Sequence, residues 1–107
     1  MSKPKDSEGG AGVAIQKKTE KKLAKPPKYR VLLHNDDYTP RDFVVLVLQH
    51  VFHRSENEAT AIMLHAHNNG FAVAGIYTFE IAESKCAEVK ALAQEAQFPL
   101  LTSVEPE

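Results

Sequence analysis

The sequence predicts an α+β domain in the order β-α-α-β-α-β, a small antiparallel three-stranded sheet packed against three helices, behind a disordered N-terminal extension. Three observations lead there. The apolar residues are near-continuous in three short segments and recur every three or four positions in three longer ones. Helix start and stop signals separate these segments. A sheet this small must also bury one face, and three helices on one side can cover it.

The first strand is Tyr29-Arg30-Val31-Leu32-Leu33, mostly apolar, β-branched or aromatic. After a polar loop, Thr39 is the expected cap of a helix from about Pro40 to Phe52, with Pro40 in its first turn and Asp42 three residues past the cap. Phe43, Val44, Val47, Leu48 and Val51 mark its buried face. Ser55 and Glu58 form a capping-box pattern that opens a second helix, which Asn69-Gly70 should close. Phe71 to Tyr77 reads as a strand, and Gly75 within it predicts a bulge or the close approach of another backbone. Thr78 should cap the third helix, whose stripe is Ala82, Cys86, Val89, Ala93 and Ala96. Pro99 ends that pattern, and Leu100 to Val104 can form a last short strand.

The 107 residues allow one small domain. Residues 1–30 hold nine of the 13 Lys and Arg against Asp6, Glu8 and Glu20, a balance of about +6, so the rest of the chain is acidic at about -7. The expected division is a flexible basic extension over residues 1–26 and a compact domain over 27–107, with Pro26-Pro27 as a stiff junction. An acidic globular part argues against a phosphate-binding surface and hence against nucleic acid as a partner. The single cysteine, Cys86, excludes an internal disulfide and suits a reducing compartment. No run approaches membrane-spanning length, so a soluble, cytoplasmic monomer without membrane contact is expected.

The segment His34-Asn35-Asp36-Asp37-Tyr38-Thr39-Pro40 concentrates an amide and two carboxylates in a loop pinned between strand and helix. Acceptors without a matching basic cluster point to a cationic, hydrogen-bond-donating ligand. A metal is the first alternative. His65 and His67 are two residues apart on a helix and point to opposite sides, and no carboxylate or thiolate completes a set around His50 and His53. A hydrolase using Asp36 and Asp37 as acid and base and His67 as proton shuttle is the second. Adjacent loop residues rarely aim both carboxylates at one point, and Cys86 belongs to an apolar stripe. An RNA- or ribosome-associated module acting through the basic tail is the third. No metal or cofactor is expected.

An α-ammonium group fits the loop better. Its three N–H donors and charge are met by a carboxylate, an amide oxygen and a neutral imidazole nitrogen. Asp37, Asn35 and His67 supply that set if the second helix packs beside the loop, and Met63, one turn before His67, then lines an adjoining apolar pocket.

At these residues the chain resembles the ClpS family, adaptors that hand N-degron substrates to the Clp protease. The resemblance runs from about Pro27 to Glu105. It rests on Tyr29-Arg30-Val31-Leu32-Leu33, Asn35-Asp36-Asp37-Tyr38-Thr39-Pro40, Phe43-Val44-Val45 and Ala59-Thr60-Ala61-Ile62-Met63-Leu64-His65-Ala66-His67. Gly75-Ile76-Tyr77-Thr78, Glu80-Ile81-Ala82-Glu83-Ser84-Lys85 and Pro99-Leu100-Leu101 follow in order and at matching spacing. The resemblance implies a non-enzymatic adaptor that binds an N-terminal Phe, Tyr, Trp or Leu together with its free α-amino group. It implies Asn35, Asp37 and His67 for the amino group and Asp36 at the pocket rim beside the substrate backbone. Thr39, Val44, Met63, Ala66 and Leu100 would hold the side chain. Glu80 and Lys85 would belong to a face that docks on the N-terminal domain of a ClpA-type AAA+ unfoldase, and the extension would act in delivery.

Three positions depart from the family pattern. Arg41 stands at the pocket entrance where many bacterial members have Met, Ala66 replaces a usual Val and should enlarge the pocket, and His34 stands where an aliphatic residue is common. A guanidinium at the rim can cover an aromatic ring by cation–π contact, or disfavour a basic second residue in the substrate.

Overall fold

In the computed structural model, which describes residues 25–107, six elements follow one another as the sequence predicts. They are β1 (Lys28–His34), α1 (Arg41–His50), α2 (Glu56–Asn69), β2 (Phe71–Thr78), α3 (Phe79–Ala96) and β3 (Leu101–Pro106). Residues 1–24, which hold most of the expected flexible extension, lie outside the described residues. No helix among those described is long and apolar enough to cross a membrane.

The sheet is antiparallel in the order β2-β1-β3, so β1 is central and pairs on both edges. That position explains why Val31, Leu32 and Leu33 are all buried. Strand alternation sends Val31 and Leu33 toward the helices and Leu32 to the opposite face, between Val73 and Ser103. The core joins Val31 and Leu33 to Val44, Val47 and Leu48 of α1, Ala59 and Ala66 of α2, and Ala82, Val89 and Ala93 of α3. Alanine at so many helix contacts lets the α2 and α3 backbones approach closely.

The bulge expected at Gly75 is present one residue away. Val31 faces Gly75 but Leu32 faces Val73, which makes Ala74 the extra residue. Its carbonyl accepts a hydrogen bond from Arg54 Nε at 3.0 Å. What approaches Gly75 is a side chain rather than a backbone: a methyl group there would meet the Tyr77 ring at 2.6–2.7 Å.

The helix ends correct the sequence reading in detail. Pro40, extended at ψ 145°, is the cap residue of α1, and Thr39 is not. The Thr39 hydroxyl and N–H are both given to Asp36, so this residue belongs to the preceding turn. Helix α1 also stops at His50, and His53 at φ 56° turns the chain so that Arg54 N–H reaches the Leu48 carbonyl at 3.1 Å. At α2 the capping box forms as expected, with both Ser55–Glu58 bonds at 3.1 Å. Thr78 occupies the cap position of α3, but its side chain makes no cap bond. Ala96 of the α3 stripe is exposed, and the last strand starts at Leu101 rather than Leu100.

Gly70 closes α2 in the left-handed region at φ 92°. Its N–H donates to the Ala66 carbonyl at 2.8 Å, and its own carbonyl accepts from Asn35 N–H at 2.9 Å. Open space surrounds the position where a Cβ would sit, so a substitution is penalised by backbone conformation alone. Gly70→Ala should therefore cost about 1–2 kcal/mol in chemical denaturation. A cost near zero would mean that the left-handed turn is not required here.

Candidate functional site

The loop from Asn35 to Pro40 is organised by one carboxylate. Asp36 Oδ1 accepts from Tyr38 N–H at 2.8 Å and Thr39 N–H at 2.7 Å, and Oδ2 accepts from the Thr39 hydroxyl at 2.8 Å. This is an Asx-type turn, in which a short side chain stands in for a backbone carbonyl. Partial burial works to raise the Asp36 pKa, but the bonds from Thr39 and Tyr38 outweigh it and hold the carboxyl below its usual value of 3.8. Three bonds accepted at once make Asp36 a residue that shapes the loop, in addition to the rim position that the family resemblance implies for it.

Behind the loop lies a partly open pocket bounded by β1, the start of α1, the last two turns of α2 and the residue before β3. Its apolar wall is Leu33, Val44, Ala66, Leu100 and the half-buried Met63. Asn35, Asp36, Thr39, Arg41 and His67 supply the polar rim, and His34 completes it. The pocket thus joins every residue that the sequence assigned to side-chain or ammonium binding except Asp37. That side chain is exposed and does not line the cavity.

Leu33 and His34 were not among the predicted lining residues. Strand parity could have found Leu33, since it precedes Asn35 by two on the face toward the helices. His34 has the opposite parity. Its Nε2 lies 2.7 Å from the Ser103 hydroxyl oxygen, and its ring is tilted against Phe71 with centroids 6.5 Å apart. No sequence pattern announces that arrangement, which depends on both neighbouring strands.

Two bonds fix the rim. Asn35 N–H is held by the Gly70 carbonyl, which anchors the loop to the end of α2. Across the cavity, Arg41 Nη2 lies 2.9 Å from His67 Nε2. A guanidinium can only donate, so His67 Nε2 is the acceptor and the ring proton sits on Nδ1. The His67 Nε2 lone pair is thus engaged by a cation of this same chain.

The remaining predicted residues lie on α3. Glu80 is exposed in the first turn, between the half-exposed Phe79 and Ile81. Lys85 is tied inward. Its ammonium donates to the Val51 carbonyl at 2.8 Å, just past the end of α1, and stands 5.8 Å from the Tyr77 ring centroid. Burial pushes the Cys86 thiol pKa up, and nearby Glu83 adds to the shift against a lowering bond from Thr102. A thiol held protonated in this way is a poor nucleophile.

The protein family whose profile matches residues 24–103 is described as "ATP-dependent Clp protease adaptor protein ClpS". The chain belongs to the ClpS family. It is 54% identical over 100 residues to the ATP-dependent Clp protease adapter protein ClpS of Myxococcus xanthus, spanning 94% of both chains. The ClpS adapter of Parvibaculum lavamentivorans is 49% identical over 102 residues, 95% of this chain and 93% of that one. Among solved structures, Agrobacterium tumefaciens ClpS2 bound to L-phenylalaninamide superposes with a TM-score of 0.75 at 47% identity, covering 78% of this chain and all of that one.

The Asp36 turn gives a pH-dependent expectation. Because the folded pKa is depressed, the stabilisation is fully present above the usual value of 3.8 and is lost as pH falls through the lower folded value. Asp36→Ala should cost about 1–2 kcal/mol near neutral pH, a range that allows for the half-exposed setting. The difference from wild type should shrink in denaturation curves taken below about pH 4. A difference independent of pH would mean that the carboxylate is not what holds the loop.

Proposed function

We propose that this protein is a non-enzymatic adaptor that reads the first residue of a protein chain through its free α-amino group and side chain. The observation that carries the reading is one cavity with an apolar wall and an acceptor-rich rim at the junction of the loop and α2. The ClpS2 relative bound to L-phenylalaninamide supports it, since that ligand unites a free α-amine, a benzyl group and an amide in place of the next peptide bond.

In this reading the substrate's ammonium donates to the Asn35 side-chain oxygen and to His67 Nε2, while Asp37 supplies the negative charge from the outer side of the loop. Asp37 is the free carboxylate of the pair, because Asp36 is engaged by Thr39 and Tyr38. Val44, Met63, Ala66 and Leu100 take the side chain, which suits Phe, Tyr, Trp and Leu. Glu80, flanked by the exposed apolar residues Phe79 and Ile81, contributes to a surface for the N-terminal domain of a ClpA-type AAA+ unfoldase. Lys85 has one of its three donors committed to Val51, so it also braces that surface from within. Residues 1–26 serve delivery of the captured substrate in the cytoplasm rather than its capture.

A fluorescent peptide beginning with Phe should bind, and its N-acetylated form should not, because acetylation removes the charge and two donors. Equal affinities would sink ammonium recognition. Asp37→Asn should weaken binding about 10- to 100-fold, from a charge-assisted contribution of about 1.5–3 kcal/mol. Fluorescence anisotropy in which Asp37→Asn binds like wild type would remove Asp37 from the ammonium site.

Recognition and delivery should separate. Deleting residues 1–25 should leave peptide affinity within about twofold, roughly 0.4 kcal/mol. The same deletion should strongly slow degradation of a Phe-initiated reporter by a ClpA-type unfoldase with its protease. Full delivery without the extension would make it dispensable, and lost peptide binding would make it part of the site.

A further inference from the structure

We infer that Arg41 is a built-in competitor for the substrate's ammonium, a latch that closes the pocket by occupying the His67 acceptor. This deepens the reading above and rests on it. Arg41 is the first residue of α1 and His67 lies in the last turn of α2, so their 2.9 Å bond spans the rim from one helix to the other. Both side chains line the cavity. With the latch in place, Arg41 and His67 bridge the polar rim of the cavity whose apolar wall is Leu33, Val44, Met63, Ala66 and Leu100. A substrate whose ammonium is to reach His67 Nε2 must displace that contact.

Chemistry points the same way. His67 offers one lone pair at Nε2, because Nδ1 carries the proton when Nε2 accepts from Arg41. A guanidinium and an α-ammonium are both cationic donors, and one lone pair serves one of them at a time. Their charges also repel across so short a gap. Substrate binding and the Arg41–His67 bond therefore exclude each other, and the apparent affinity falls by the fraction of molecules with the latch open. Arg41 is exposed and exchanges its bond to His67 for bonds to water when it swings away, which keeps the latch weak enough to be displaced.

The test is a double-mutant cycle on the full chain, read as association and dissociation rates of a Phe-initiated peptide with its acetylated form as control. Arg41→Ala and Arg41→Met should bind two- to tenfold more tightly, with most of the gain in the association rate. In a His67→Ala background the Arg41 substitution should change affinity by less than about twofold, since there is no lone pair left to compete for. An equal gain with and without His67 would overturn the latch, because it would reflect general repulsion. Weaker binding by Arg41→Ala would also overturn it and make Arg41 a direct substrate contact, while ammonium recognition stands. Free and acetylated peptides binding alike in every variant would overturn the underlying reading and the latch with it.

Discussion

One hydrogen bond, from Asn35 N–H to the Gly70 carbonyl, fixes the relation between the two halves of the site. It extends the β1–β2 ladder one step beyond the His34–Phe71 pair, and it requires α2 to end in a left-handed residue. Helix end, strand start and loop start thereby share one point. His67, in the turn just before Gly70, is carried to the loop by this closure.

The loop divides labour between two adjacent carboxylates that look equivalent in the sequence. Asp36 is spent on the turn, where it accepts three bonds and orients Thr39 ahead of the extended Pro40. That leaves Asp37 at the surface with its charge available.

On the far side of the domain the third helix is braced in a similar way. Lys85 caps a carbonyl at the end of α1 and lies against Tyr77, whose ring in turn covers Gly75 beside the bulge. Phe79 meets Tyr29 edge-on, with ring centroids 5.0 Å apart, where β1 begins. The exposed residues at the start of α3 are thus held on a braced support.

Much of this was legible in the chain because it is local. The capping box at Ser55, the stop at Gly70, the alternation that buries Val31 and Leu33, and the apolar face of α1 each follow from residues a few positions apart. The acceptor-rich loop and the pocket wall of Val44, Met63, Ala66 and Leu100 were legible too, through the family resemblance and the spacing on α2. What the sequence determined by itself was therefore the element order, the loop's chemistry and the side of each helix that turns inward. Only the tertiary structure decided which aspartate holds the loop, that Thr39 serves the turn instead of capping α1, that Lys85 points inward, and that Arg41 meets His67. The last pair is separated by 26 residues. Such contacts are set by the angle at which α1 and α2 pack against each other, and no short-range pattern encodes that angle.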